Sequence, residues 1–131
     1  MPSPYTLEDA RGWIALAAIE RERETVLHVV AVREGDDLVV GAGALRLQGE
    51  IGYWVAADAR GSGIGSRLVE LLTRFAFETL SFPYVEIAIA PENEASLGVA
   101  RRCGYTEQRR ELREFKGALM EFAIHRRDAG G

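Results

Sequence analysis

The segment from Val55 to Gly65 reads Val-Ala-Ala-Asp-Ala-Arg-Gly-Ser-Gly-Ile-Gly, with Gly61, Gly63 and Gly65 between a strand-like run and a helix-like run. Glycine lets backbone N–H groups approach a ligand without interference from a Cβ, and a helix start offers unbonded donors and a partial positive charge. A turn of this composition can grip a diphosphate. It is not a nucleoside-triphosphatase loop, because Gly65 is followed by Ser66-Arg67 where Lys-Ser or Lys-Thr is required. It is not a dinucleotide fingerprint either. Ser66 stands where the third glycine belongs, and the strands ahead of it read as a meander rather than the opening of a βαβ unit.

The elements that must hold this turn are legible from spacing. Thr6-Leu7-Glu8-Asp9 resembles a capping box, and Trp13, Leu16, Ala17 and Glu20 follow at helical spacing, predicting a helix over about 7–22. Val26–Arg33 and Leu38–Leu47 flank Glu34-Gly35-Asp36-Asp37 and read as a hairpin, and the run from Glu50 to Val55 adds a third strand. Gly41 and Gly43 inside the second of these strands predict close approach by another element. Ile64, Leu68, Leu71, Leu72 and Phe75 form the stripe of a buried helix ending near Leu80. A strand over 85–89 follows Pro83-Tyr84, and then a second helix with Asn93 as N-cap and Gly104 as left-handed C-cap. Strands over about 105–115 and 119–127, joined at Lys116-Gly117, close the chain. The expected fold class is α/β, a mixed-direction sheet in one domain over 1–131 with a flexible tail at 128–131.

Composition narrows the function. The 131 residues carry 16 basic and 20 acidic side chains, a formal charge of −4, which disfavours nucleic acid as a partner. Arg101-Arg102 and Arg109-Arg110 read first as solvated faces, the former pair also as a phosphate contact. No apolar stretch reaches the roughly 18–20 residues of a membrane span, and no basic run followed by an apolar block opens the chain, so a cytoplasmic protein is expected. One cysteine and two separated histidines, Cys103, His28 and His125, predict neither an internal disulfide nor a metal centre.

Arg60-x-x-Gly63-x-Gly65 after a Tyr-Trp-Val strand, together with Asn93-x-x-Ser96 and Cys103-Gly104-Tyr105, resembles the GNAT superfamily of acyl-CoA-dependent N-acetyltransferases. Gly52-Tyr53-Trp54-Val55 and Phe75-Ala76-Phe77-Glu78 resemble its RimJ/RimL-type branch, which acetylates the N-termini of ribosomal proteins. The resemblance runs over about 5–127. It implies a sheet whose middle strands splay apart, with acetyl-CoA as cosubstrate and no metal. Arg60, Gly61, Ser62, Gly63, Ile64 and Gly65 would hold the diphosphate. Trp54 and Val55 would line the gap that receives pantetheine, the Val55 N–H meeting the thioester oxygen. Asn93 would hold the pantetheine arm.

The implied reaction is direct attack by a primary amine, either a protein N-terminus or a small molecule. It needs a neutral amine and a proton for the departing thiolate. By resemblance Glu50 stands at the general-base position, with Glu86 a second candidate. An α-amine, with an unperturbed pKa of about 8, needs only weak help. Two departures stand out. Many members carry Tyr seven residues after the motif Asn, where this chain has Ala100, leaving Ser96 as the hydroxyl for the proton or the sulfur. Ser96 also reads as a helix-start serine bonding local backbone. The strand that usually precedes the first helix is expected to be missing, which makes a homodimer covering the exposed edge an expectation. The competing readings are a catalytically degenerate CoA-binding or interaction module and a purely structural domain.

Overall fold

The computed structural model describes Tyr5–Asp9, Gly12–Ala17 and residues 25–130. Eight strands and two helices follow in the order β1 (Tyr5–Asp9), β2 (Gly12–Ala17), β3 (Thr25–Val32), β4 (Val39–Arg46), β5 (Ile51–Val55), α1 (Ile64–Glu78), β6 (Tyr84–Ile89), α2 (Glu94–Arg102), β7 (Thr106–Phe115) and β8 (Ala118–Asp128). From β3 onward the elements fall where spacing put them. The helix expected over 7–22 is corrected: its described residues form β1 and β2, antiparallel with Tyr5 opposite Leu16, and the rest lies outside the described residues. The sheet therefore has an edge strand where none was expected. Short runs such as Trp-Ile-Ala-Leu are compatible with either period, and here β2 has a partner, with Trp13 opposite Val32 and Leu16 opposite Val29. Ladder bonds outweigh a local capping signal.

Strands β1 to β5 form an antiparallel meander, and β6-β8-β7 form a second antiparallel sheet. The two meet at one parallel bridge between Glu50 and Glu86, beside which the Glu86 N–H donates to the Gly49 carbonyl at 2.8 Å. Beyond that point β5 has β4 on one side and no paired strand on the other. This is the splayed, mixed sheet of the expected α/β class.

Helix α1 lies across the meander because its apolar stripe fits small residues beneath it. Leu68, Val69, Leu72 and Ala76 are buried, and a Cβ built on Gly41 would stand 3.3 Å from both Ile64 Cγ2 and Leu68 Cδ1 and 3.0 Å from the Trp54 carbonyl oxygen. On Gly43 it would stand 2.9 Å from Leu72 Cδ1. These are the close approaches the two glycines predicted. Helix α2 packs beside α1 and over β6. No helix among the described residues is long and apolar enough to cross a membrane.

On the opposite face a chain of ion pairs fastens the two sheets together. Glu50 accepts from Nη1 and Nη2 of Arg113 at 3.0 Å each, and Arg113 Nε reaches Glu111 at 2.7 Å. Arg109 then links Glu111 at 3.2 Å to Glu86 at 3.0 and 3.2 Å, and Arg126 adds contacts to Glu86 at 2.9 and 3.1 Å. The Glu86 carboxyl is held below the usual carboxylate range, first by hydrogen bonding from Arg109 and then from Arg126 against the opposing cost of burial.

Two outcomes follow for stability. Gly41→Val is expected to cost about 1–3 kcal/mol in urea denaturation, since its side chain has backbone on one side and α1 on the other. Gly52→Ala, whose Cβ would meet nothing within 4 Å, should stay within about 0.5 kcal/mol of the parent. Glu86→Gln should cost about 1–3 kcal/mol at neutral pH. Because the folded Glu86 pKa is depressed, its contribution is complete above the unfolded value of about 4.3 and is lost as pH falls through the folded value. The parent should therefore lose stability on acidification more steeply than the glutamine variant.

Candidate active site

The gap between β5 and β6 is framed by backbone groups whose directions follow from strand geometry. The Ala56 N–H bonds to the Val40 carbonyl at 2.8 Å, and the Glu50 carbonyl accepts from Arg46 N–H at 2.9 Å, so even-numbered β5 residues face β4. Successive residues along a strand turn their amides to opposite sides, so Tyr53 and Val55 present N–H and C=O to the gap. No strand pairs with them there. Arg60 Nε donates to the Val55 carbonyl at 3.3 Å, bringing the glycine turn to the same opening.

The turn itself is shaped by positive φ. Gly61 has φ 83° with open space where a Cβ would stand, and Gly63 caps α1 at φ 88°. Gly63 has no side chain to satisfy the first turn of α1, and the first intrahelical bond runs from Arg67 N–H to the Gly63 carbonyl at 3.1 Å. The amides of Ile64, Gly65 and Ser66 therefore precede the helical ladder. Ser62 Oγ donates to the Ala59 carbonyl and tightens the bend. Gly65 packs as well: a Cβ there would lie 3.2 Å from Tyr53 Cε2 and 3.4 Å from Val99 Cγ2. Arg102 donates to Ser66 Oγ at 3.2 Å, so one member of the Arg101-Arg102 pair borders this turn.

Across the gap, Asn93 Oδ1 accepts from the Ser96 N–H at 3.1 Å, the N-cap expected of α2. Ser96 Oγ lies 2.9 Å from Tyr53 Oη. No local pattern on α2 points to that phenol, which comes from β5, and Ala100, at the position where a tyrosine would stand, is fully buried in the core. Burial pushes the Tyr53 phenol upward, with the Ser96 bond opposing. Thus Val55, the turn from Arg60 to Gly65, Asn93, Ser96 and Tyr53 gather around one opening.

Glu50 and Trp54 do not join that group. Tyr53 and Val55 lie under α1, so alternation puts Glu50 and Trp54 on the other face, with Trp54 half exposed. Both carboxylates considered for base chemistry, Glu50 and Glu86, are bound by arginines. The Arg109-Arg110 pair, read from the sequence as a solvated face, thus supplies a carboxylate partner, and Arg113 has no sequence signal beyond the alternating charges of β7. Cys103 is buried, its thiol pushed up chiefly by burial, and Tyr105 is buried against Thr73, so both serve packing.

Comparison with known proteins bears on this arrangement. Residues 1–106 match the model described as the acetyltransferase (GNAT) domain. The chain is 41% identical over 59 residues to the Bacillus subtilis (strain 168) protein named "Putative ribosomal N-acetyltransferase YdaF", covering 45% of this chain and 32% of that one. The ribosomal-protein-S5-alanine acetyltransferase of Vibrio fischeri superposes with a TM-score of 0.70 at 19% identity, over 79% of this chain and 61% of that one. The yncA protein of Salmonella typhimurium, solved with its cofactor acetyl-CoA, superposes with a TM-score of 0.66 at 16% identity, over 79% and 64% of the two chains. This chain thus spans less than two thirds of each of these relatives, and the two superpositions speak to the fold. With four fifths of its length matched to one domain model and a splayed sheet closing on a glycine turn, the chain belongs to the GNAT acetyltransferase family.

Proposed function

We propose that this protein transfers the acetyl group of acetyl-CoA to a primary amine by direct attack. The observation that carries the reading is the gap-facing edge of β5, with which no strand pairs among the described residues and which ends at a turn whose amides precede the α1 ladder. Pantetheine has amides that can pair with Tyr53 and Val55 as a strand would, and Asn93 Nδ2, which the cap does not use, supports its arm. The diphosphate then falls at the amides from Gly61 to Gly65, with Arg60 and Ser62 beside them. The Val55 N–H meets the thioester oxygen as charge develops on it.

The acceptor approaches from the face of Glu50. Both oxygens of that carboxylate are engaged by Arg113, so an acceptor reaches it only once an ammonium group or a water takes the place of the guanidinium. This favours an acceptor that is partly neutral unaided, as an α-amine is with a pKa of about 8 against about 10.4 for lysine. The names of YdaF and of the Vibrio fischeri enzyme point to ribosomal proteins as acceptors, and the spermidine N-acetyltransferase of Vibrio cholerae, a structural neighbour, points to a small amine as the other acceptor class. A catalytically silent CoA-binding module is favoured by one observation, that both nearby carboxylates are engaged.

Calorimetry with CoA tests the first step. Gly61→Asp suits the test because Asp tolerates positive φ and the position is open, so the added charge repels the diphosphate without crowding the fold. Affinity should fall about tenfold or more, while Gly61→Asn stays near the parent, on the scale of 1.4 kcal/mol per decade. Absence of CoA binding by the parent would defeat the proposal. Free-thiol release from acetyl-CoA across peptides with free N-termini, polyamines and amino acids tests the second step. CoA binding without release from any acceptor supports the silent module instead.

A further inference from the structure

Helix α2 lacks the phenol that position 100 would supply, yet a phenol reaches its first turn from β5. Tyr53 rises from the gap-lining strand beneath α1, and its Oη meets Ser96 Oγ at 2.9 Å. The two residues stand on opposite sides of the opening, 43 positions apart in sequence. The Ser96 backbone is fixed independently by Asn93. A serine in the first turn of a helix ordinarily turns its hydroxyl back onto local backbone. Here that hydroxyl is held by a side chain from another element.

We propose that Tyr53 is a positioning residue: by donating to Ser96 Oγ it frees the single Ser96 hydrogen to point into the gap, at the sulfur of bound CoA. The inference rests on the acetyltransferase reading above. A serine hydroxyl has one hydrogen and two acceptor sites, so its direction is set by whichever partner donates to it. Burial keeps the phenol protonated, so it retains a hydrogen to donate throughout the working pH range. In the reaction the acceptor nitrogen bonds to the acetyl carbon, and the carbon–sulfur bond breaks with its electron pair going to sulfur. The nitrogen gives one proton to water and the thiolate takes one from water, leaving amide and thiol. Between cleavage and protonation the sulfur bears a full charge, and a two-hydroxyl chain polarised toward it stabilises that charge more than an isolated serine does.

The ionisation of the thiol of bound CoA, followed by the ultraviolet absorbance of the thiolate, reads this directly and needs no acceptor. Tyr53→Phe and Ser96→Ala should each bind CoA like the parent and each reduce the thiolate fraction at fixed pH about tenfold, a shift of one pH unit. Acetyl transfer should show kcat down about tenfold with KM for acetyl-CoA unchanged. The double variant should be no worse than Ser96→Ala, as expected for coupled groups, and Ser96→Thr should restore most of the effect. A thiol titration that neither substitution moves overturns the inference, as does a double variant whose losses add. Should Tyr53→Phe fold poorly, Ser96→Ala against Ser96→Thr decides on the same titration. A parent that binds no CoA fails at the calorimetric step and removes the functional reading itself. A parent that binds and turns over while Tyr53→Phe matches it removes only the role of Tyr53.

Discussion

Backbone amides inside a sheet require partners, and among the described residues β5 has a pairing strand along one side only. Beyond the Glu50–Glu86 bridge its second edge faces an opening instead of a strand. Buried N–H and C=O groups left without partners cost free energy comparable to a lost hydrogen bond each. An extended ligand with amides of its own relieves that cost. The other parts of the site follow from where this edge leads: β5 runs into the glycine turn, the turn into the free amides of α1, and the return strand β6 into the capped start of α2.

A sheet split in this way has to be held at a fixed width, and two fasteners do so on opposite faces. On one face the carboxylates Glu50, Glu111 and Glu86 alternate with Arg113, Arg109 and Arg126. On the other the Tyr53–Ser96 bond joins β5 to α2. Fifteen of the sixteen basic residues are arginine, and the ion-pair chain uses what arginine offers, a planar fork able to bind two carboxylates or both oxygens of one. The same pairing occupies the oxygens of Glu50 and Glu86, so neither carboxylate stands open toward the gap.

Local patterns reported their elements well wherever one residue's neighbours in sequence were also its neighbours in space. The stripe from Ile64 to Phe75, the Asn93 cap and the turn glycines are all of that kind. Gly41 and Gly43 also announced a close approach, and α1 supplied it. The helix expected from residue 7 failed because capping and periodicity compete with strand pairing, and the register with β3 enters no local pattern. Glu50 stands one residue ahead of β5, in the bridge to Glu86, and its partner Arg113 lies 63 residues away.

By itself the sequence determined the turn that ends β5, the apolar stripe of α1 and the capped start of α2, because glycine spacing, helix caps and apolar periodicity act within a few residues. The resemblance carried by those motifs implied the family and its splayed sheet. Tertiary structure decided which face each group serves. It put Glu50 against an arginine and brought the phenol missing from α2 back through Tyr53. Alternation along a strand fixes only that neighbours diverge. Which of the two sides meets a helix, a salt bridge or an opening is set by the packing of distant segments.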